Sequence, residues 1–299
     1  MQTNQAEYYL LDVFTDQRYG GNQLAIFPDA SFIPEKLLQS IARELNLSET
    51  VFLFPPSAHE NYRMRIFTPG TELPTAGHPT VGTGFFLARK FTNPEEGRLK
   101  LTFEQKVGPI DVYVDFTNNL PEMVTMHQPL PTFGHTHNER KADLANVLSL
   151  EPSDIADLPI QEVSCGNNTL LIPLVSAKKL REIEVKTDVW KKLKPEFGNG
   201  FLYVFSVNDV AGGNVQGRMF APEIGIMEDP ATGSANGPLA SYLTKHQIIP
   251  MPALSLQGYE MGRPSQIHID TQMNTEGVIS AVKVGGKSVL MGKGTFFLE

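Results

Sequence analysis

Two glycine-rich turns carry ionisable side chains in sequences that favour the binding of a small anion. His78 lies in AGHPTVGT and Asp229 in EDPATGSANG. In each, glycines precede an apolar run that predicts a buried helix, and the start of such a helix leaves backbone N–H groups without partners. These donors and the positive end of the helix dipole attract anions. The pattern predicts that Gly77 and Gly233 hold a carboxylate or a similar group.

Each of these residues also has a plainer interpretation. The glycines would permit close packing of a helix against a strand, His78 would be a structural histidine, and Asp229 would be an N-cap. The occurrence of the turn twice favours anion binding. The placement of His78 and Asp229 at matching points of the two turns keeps a role in proton transfer open.

Glu49 is the third candidate, in the sequence Ser48-Glu49-Thr50 between a predicted helix and a predicted strand. A carboxyl group at such a point can be poorly solvated. Desolvation raises the pKa of a carboxyl group and suits it to proton transfer near neutral pH. A surface glutamate in a helix-to-strand turn is the alternative, and the spacing alone favours that alternative.

An internal repeat indicates which elements position these residues. RIFTP at residues 65–69 matches RMFAP at residues 218–222, and a glycine-rich turn and an apolar run follow in both copies. Gly21-Asn22 precedes the first copy and Gly166-Asn167 the second. A duplication predicts an α+β protein of two pseudo-symmetric lobes. Equivalent turns would then face each other across a cleft between the lobes, which is a favoured place for ligands.

The spacing of apolar residues predicts a strand-rich chain with few helices. Helices are predicted at residues 33–45, 82–90 and 237–246, with a segment of helical spacing at 177–193. Strands are predicted at residues 8–14, 23–27, 51–54, 62–67, 99–103, 110–116, 122–126, 160–164, 170–174, 201–207, 215–220, 267–269, 277–284 and 294–298. Residues 128–141 are rich in Pro, Gly and His and lack periodicity. They are predicted to link a first lobe at 1–127 to a second at 128–286.

The amino-acid composition limits the kinds of molecule that the protein is expected to bind. The 299 residues carry a formal net charge of −8, and an acidic surface of this kind disfavours nucleic acid and anionic membranes. No apolar run approaches the roughly 18 residues of a membrane helix. Cys165 is the only cysteine, which excludes intrachain disulfides and cysteine-cluster metal sites. The N-terminus lacks the pattern of a signal peptide, so a cytoplasmic setting is expected.

Other chemistries fit the motifs poorly. Leu87 replaces the third glycine of a G-x-G-x-x-G pattern that begins at Gly82, so the dinucleotide fingerprint fails. Thr232 stands where a G-x-S-x-G hydrolase motif around Ser234 needs its first glycine. His135 and His137 suggest a metal, but in a linker without obvious acidic neighbours they are expected to be solvated.

Five segments occur in an order shared with one known family. They are VFTDQRYGGNQLAIF (13–27), LSETVFL (47–53), RIFTPGTELPTAGHPTVGT (65–83), FAPEIGIMEDPATGSANG (220–237) and QGYEMGRPS (257–265). On these segments the sequence is identified as a member of the phenazine biosynthesis-like (PhzF-like) family, which has the diaminopimelate epimerase-like fold. The segments span nearly the whole chain, and AGHPTVGT and EDPATGSANG are specific to the family.

The resemblance implies two lobes, each a β-barrel-like sheet around a central helix, with the C-terminal strand at about 287–299 returning to the first lobe. It also implies a homodimer. In the phenazine-forming member, the glutamate matching Glu49 moves a proton between carbons of a dihydro-hydroxyanthranilate, and no cofactor or metal takes part. The site residues implied are Glu49, His78 and Asp229 as catalytic groups, and Ser48, Gly77, Gly233 and Ser234 as substrate-binding groups.

The epimerases of this fold use two cysteines as acid and base. Here the matching positions read Ala76 and, approximately, Asp229, so a two-thiol racemase is not expected, and Cys165 is predicted to be a buried apolar filler. The expected function is a cofactor-independent isomerase of a small carboxylate. The alternative is a non-catalytic protein of the same fold that binds a small anion or another protein.

Overall fold

The computed structural model describes residues 5–57, 62–89, 97–198 and 200–298. Its α-helices are α1 (Glu35–Leu45), α2 (Gly77–Ala88), α3 (Lys141–Val147), α4 (Thr187–Leu193) and α5 (Gly233–Lys245). Its strands are β1 (Gln5–Val13), β2 (Asn22–Phe27), β3 (Glu49–Phe54), β4 (Tyr62–Phe67), β5 (Glu72–Leu73), β6 (Arg98–Gln105), β7 (Gly108–Thr117), β8 (Leu120–Gln128), β9 (Thr132–Thr136), β10 (Gln161–Ser164), β11 (Asn168–Pro173), β12 (Phe201–Ser206), β13 (Val215–Ala221), β14 (Ile226–Asp229), β15 (Ala253–Gln257), β16 (Ser265–Met273), β17 (Ile279–Gly286) and β18 (Ser288–Phe297).

The chain forms two compact units. The first comprises Met1–His127 together with Gly285–Glu299, and the second comprises Gln128–Val284. Within the first unit, β18 runs antiparallel to β1 along nearly its whole length, with one register shift between Leu10 and Leu11. The last strand of the chain is therefore part of the unit that the first strand begins.

The two units repeat one strand pattern. In the first, β1 pairs antiparallel with β2, β2 parallel with β3, β3 antiparallel with β4, and β4 antiparallel with β5. In the second, β10, β11, β12, β13 and β14 pair in the same sequence of orientations. The next strand then runs parallel to the fourth in both, as β6 beside β4 and β15 beside β13. This shared order is the structural form of the repeat in the sequence.

Each unit has a buried helix against its strands. All twelve residues of α2 are buried, and this helix contacts β1, β2, β3, β6, β7 and β18. Helix α5 is buried along most of its length and contacts β10, β11 and β16. A helix that is apolar on every side belongs in a core. Among the described residues, no helix is long and apolar enough to cross a membrane.

Gly82 sets how closely α2 approaches the strands of the first unit. A Cβ atom at this position would lie 2.6 Å from Val13 Cγ2 and 2.7 Å from Leu24 Cδ2. We expect overpacking in Gly82→Ala to lower the free energy of unfolding by about 1–3 kcal/mol. The higher helix propensity of alanine offsets up to about 1 kcal/mol of this loss. Urea unfolding measures the free energy.

Gly84→Ala is the matched control for this prediction, because it offers the same gain in helix propensity on the same helix. Its Cβ atom would lie 3.1 Å from Val124 Cγ1, a contact that a shift of a few tenths of an ångström relieves. We expect this variant to lose clearly less stability than Gly82→Ala. Equal losses in the two variants would contradict the role given to Gly82.

The structure corrects several boundaries predicted from the sequence. Helices α2 and α5 begin at Gly77 and Gly233, each several residues before the predicted start. The third residue of α2 is Pro79, which the first turn of a helix tolerates, whereas α5 holds Pro238 in its interior. The predicted last residue of α2, residue 90, lies outside the described residues. Strand β15 and the short strands β5 and β14 were not predicted.

The prediction of an unstructured linker at residues 128–141 is wrong. This segment contains β9, which pairs antiparallel with β10, and a 3-10 helix at Asn138–Arg140 that leads into α3. Most side chains of β9 are exposed, so the strand lacks the alternation of apolar residues from which a strand is predicted. His137, expected to be solvated, is buried.

Candidate active site

Glu49 is buried at the start of β3. Helix α1 ends at Leu45, and Asn46 takes a left-handed conformation (φ 50°, ψ 37°) that turns the chain towards the strand. Glu49 is the first residue of β3 and stands opposite Leu24 of the parallel strand β2. Only 7% of Glu49 is exposed, so the interpretation as a surface glutamate is wrong. Ser48, next to it, is half-buried.

His78 faces Glu49 from the first turn of α2. Its Nε2 atom lies 3.2 Å from Oε2 of Glu49, and 3% of the residue is exposed. On the other side of the ring, the amide Nδ2 of Asn22 lies 3.1 Å from Nδ1. The imidazole ring is therefore held between the amide of Asn22 and the carboxyl group of Glu49. The structure thus brings two of the predicted residues together within one unit.

His78 is neutral in the folded protein. Burial lowers the pKa of His78 from 6.5 to about 3, against a smaller opposing effect of a hydrogen bond with the backbone of Gln23. The ring also lies in the first turn of a helix, where the positive end of the dipole disfavours a cation. The contact with Glu49 has the distance of an ion pair, but it joins a carboxyl group to a neutral imidazole.

The lowered pKa of His78 predicts a pH-dependent stability. Between pH 6.5 and about pH 3, the unfolded chain binds a proton at His78 that the folded protein does not bind. Acidification through this window therefore lowers the free energy of unfolding, by about 1.4 kcal/mol per pH unit. We expect the stability of the wild type relative to His78→Asn to fall with that slope in urea unfolding at successive pH values. Parallel pH dependences in the two proteins would contradict the prediction.

In the second unit, Asp229 lies at the end of β14 within a buried polar network. Its Oδ2 atom accepts a hydrogen bond of 2.6 Å from the Thr232 hydroxyl, and 5% of the residue is exposed. The amide of Gln257 donates to the Asp229 carbonyl at 2.7 Å and accepts from the Thr232 N–H at 3.1 Å. Asn236 donates to the Thr232 carbonyl at 2.9 Å. These bonds fix the backbone between β14 and α5.

Helix α5 begins at Gly233, whose carbonyl accepts a hydrogen bond of 2.9 Å from Gln128 Nε2. The second residue of the helix is Ser234, which is half-buried. The amino end of α5 thus presents a hydroxyl group where the amino end of α2 presents an imidazole.

His78 and Asp229 do not occupy matching points of the repeat, so that expectation is wrong. Strand β5 and strand β14 both end four residues before the first residue of the following helix. Counted from the helix starts, His78 matches Ser234 and Asp229 matches Leu73. The two loops therefore carry different side chains, and equivalent positions of the two units offer different functional groups.

The cysteine positions of the epimerases can be compared in the same way. Counted from the helix starts, Ala76 corresponds to Thr232, and the approximate match to Asp229 is corrected. Cys165 is buried against Ile279 and Val282, and burial raises the pKa of its thiol to about 11. A thiol of this kind stays protonated near neutral pH, which confirms the prediction of an apolar filler.

Sequence reasoning missed Asn22 and Gln257, the two amides that hold the polar groups described above. Both lie in segments that carry the family resemblance, Asn22 in the first and Gln257 at the start of the last. Their place in these segments marked both residues as candidates, but nothing in the sequence indicated that an amide at residue 22 contacts an imidazole at residue 78.

This chain is similar to bacterial proteins that are named isomerases. It is 34% identical over 304 residues to an uncharacterized isomerase of Clostridium acetobutylicum. The alignment covers 97% of this chain and 98% of that relative. It is 33% identical over 293 residues to the trans-2,3-dihydro-3-hydroxyanthranilate isomerase of Pseudomonas aeruginosa. That alignment covers 97% of this chain and 99% of the enzyme.

Solved structures agree in fold. A phenazine biosynthesis protein of the PhzF family from Bacillus anthracis superposes with a TM-score of 0.86 at 26% identity, covering 98% of this chain and 99% of that one. A probable proline racemase from Agrobacterium radiobacter superposes with a TM-score of 0.68 at 11% identity, covering 98% and 93%, and shows the fold alone. The α+β fold expected from the resemblance is confirmed. The family model described as phenazine biosynthesis-like protein matches residues 11–294, and the chain belongs to this PhzF family.

Proposed function

We propose that this protein is an isomerase that moves a proton between two carbon atoms of a small carboxylate, with Glu49 as the acid and base. The observation that carries the proposal is the buried carboxyl group of Glu49, 3.2 Å from the Nε2 atom of a neutral His78. The isomerase named in Pseudomonas aeruginosa supports the reaction class.

A neutral partner suits a carboxylate that must accept a proton from carbon. A positively charged neighbour lowers the pKa of a carboxyl group by 1–3 units and so weakens it as a base. The neutral His78 packs its ring against the carboxyl group of Glu49 without this penalty. We therefore assign His78 as the group that orients Glu49 and can relay a proton to or from it.

The proposed reaction has two steps that balance without an oxidant. The Glu49 carboxylate takes a proton from a carbon made acidic by conjugation, and the electron pair of that C–H bond spreads into the conjugated carboxylate system. The protonated Glu49 then returns the proton to a second carbon on the same face. One carboxyl group performs both steps as long as the anion stays bound. The double bonds of the substrate shift, and its composition is unchanged.

The remaining predicted residues are proposed to bind the substrate. The backbone N–H groups at the starts of α2 and α5, at Gly77 and Gly233, suit a carboxylate or the anion that forms during the reaction. The half-buried hydroxyl groups of Ser48 and Ser234 add hydrogen-bond donors. Asp229, held by Thr232, is proposed to accept a hydrogen bond from a hydroxyl or amino group of the substrate and to orient it.

The test is incubation of the protein in D₂O with a panel of small cyclic and amino carboxylates, trans-2,3-dihydro-3-hydroxyanthranilate included. Mass spectrometry reports deuterium uptake at carbon, and chromatography reports isomerised product. The product assay is needed because a proton that Glu49 shuttles without solvent exchange carries no label. An isomerised product from any member of the panel supports the proposal. A ligand that is retained and returned unchanged would favour a binding protein of the same fold.

A further inference from the structure

His135, His137 and Glu139 form a cluster of metal-ligand types at the end of β9. One ring nitrogen of each histidine and a carboxylate oxygen of Glu139 lie within 4.8 Å of one another. The two imidazole rings are in edge contact, with centroids 4.8 Å apart. His135 and Glu139 are exposed, whereas only 6% of His137 is exposed. His137 is therefore held in place by burial, whereas the side chains of His135 and Glu139 are accessible to solvent.

His137 is oriented by polar contacts with residues outside the cluster. Oε1 of Glu162 lies 2.8 Å from Nε2 of His137, and Oε2 of the same carboxylate accepts a hydrogen bond of 3.0 Å from Asn168. Phe197 packs against the face of the His137 ring. A carboxylate that holds the second nitrogen of a histidine is the arrangement found behind metal ligands, where it fixes the tautomer and raises the basicity of the ligand.

We propose that His135, His137 and Glu139 bind a divalent transition-metal cation of the Zn²⁺ class. Two imidazoles and a carboxylate suit Zn²⁺, Co²⁺ or Ni²⁺, and they suit Mg²⁺ or Ca²⁺ poorly. Because Nε2 of His137 contacts Glu162, Nδ1 is the nitrogen left to the cation. Ligands of a tetrahedral ion lie about 3.4 Å apart, so the exposed side chains of His135 and Glu139 must close in by rotation.

The positive charge that is adjacent to the cluster in the sequence, Arg140, is paired with carboxylates. Arg140 follows Glu139 directly, but its guanidinium donates to Asp143 at 2.7 Å and also pairs with Glu196. Its charge is therefore compensated by two carboxylates. The cation would tie the end of β9 to the 3-10 helix at Asn138–Arg140, and it would therefore stabilise the second unit on binding.

Titration of the tag-free protein with Co²⁺ at pH 7.5 tests the proposal, because the absorption of bound Co²⁺ in the visible range reports its ligands directly. We expect a saturable spectrum, its loss on competition with Zn²⁺, and a rise in the thermal midpoint with Zn²⁺ that Mg²⁺ does not produce. His135→Ala and Glu139→Gln should bind at least about 10-fold more weakly, as expected for the loss of a ligand or of its support.

Two further variants separate the cluster from adventitious binding. Glu162→Gln keeps all three ligands and should weaken binding by about 10–100-fold through the loss of orientation. His127→Ala removes an exposed histidine on β8 and should bind as the wild type does. Absence of a saturable spectrum would overturn the proposal, as would wild-type affinity in His135→Ala or an equal loss in His127→Ala. The thermal midpoints without metal show whether each variant folds.

Discussion

Glu49→Gln is expected to lower kcat by about 10²–10⁴-fold, the contribution of a positioned acid or base. Glutamine has nearly the same shape and volume as glutamate, so the fold and the binding of substrate should change little. It cannot carry a proton to or from carbon. The measurement is the rate of isomerised product on the substrate found with the wild type, with KM determined alongside.

The matched control for this variant is Glu44→Gln, which removes an exposed carboxyl group at the end of α1. It changes the net charge by the same amount close to Glu49 in the sequence and should leave kcat unaltered. If Glu49→Gln kept full activity on a genuine substrate, the assignment of Glu49 would be wrong. A large rise in KM with kcat unchanged would instead assign Glu49 to substrate binding.

Arg218→Met is expected to destabilise the folded protein by about 3–5 kcal/mol, because it leaves a largely buried carboxylate without its partner. Arg218 forms two parallel hydrogen bonds with Glu228, of 2.8 and 2.7 Å. It also donates to the carbonyls of Leu180 and Ile183, and its guanidinium stacks over the Phe220 ring. The free energy of unfolding in urea measures the loss.

The internal repeat supplies the control for this prediction. Arg65 occupies the equivalent place in the first unit and pairs with Glu72 through bonds of 2.8 and 2.9 Å. Its side chain is 23% exposed, against 10% for Arg218, and Glu72 also pairs with Lys106. Arg65→Met should therefore cost clearly less than Arg218→Met, because Lys106 still pairs with the carboxylate of Glu72.

Removal of both partners separates the cost of an unpaired charge from the cost of lost packing. Arg218→Met combined with Glu228→Leu leaves no buried charge, and it should recover a large part of the stability lost in the single variant. Equal costs for the two arginines, or a double variant as unstable as Arg218→Met, would contradict the explanation. Both results concern stability, so neither bears on the assignment of Glu49.

Several strands were predictable because they are short, mostly apolar runs that are buried along most of their length. β2, β4, β12 and β13 were predicted to within one residue of their observed bounds. Helix α1 was predicted to within two residues, since its buried residues Leu38, Ile41 and Ala42 recur at helical spacing. The repeat was also visible, because RIFTP and RMFAP keep the arginine that each unit uses in its ion pair.

Three of the strands that were not predicted depend on contacts with a neighbouring strand. β9 is held by its pairing with β10, which the mostly polar sequence of the strand does not reveal. β5 and β14 are only two and four residues long, and each carries the glutamate that pairs with the arginine of the preceding strand. Residues that depend on a distant partner carry no local period, so sequence patterns do not find them.

The sequence by itself determined the strand-rich class, the duplication, the family resemblance and the identity of Glu49, His78 and Asp229 as candidates, because residue types and their local order carry that information. Only the tertiary structure decided that Glu49 is buried, that Asn22 and His78 meet, and that the imidazole is neutral. These properties depend on desolvation and on contacts between residues far apart in the chain. Such contacts exist only once the strands have paired around α2.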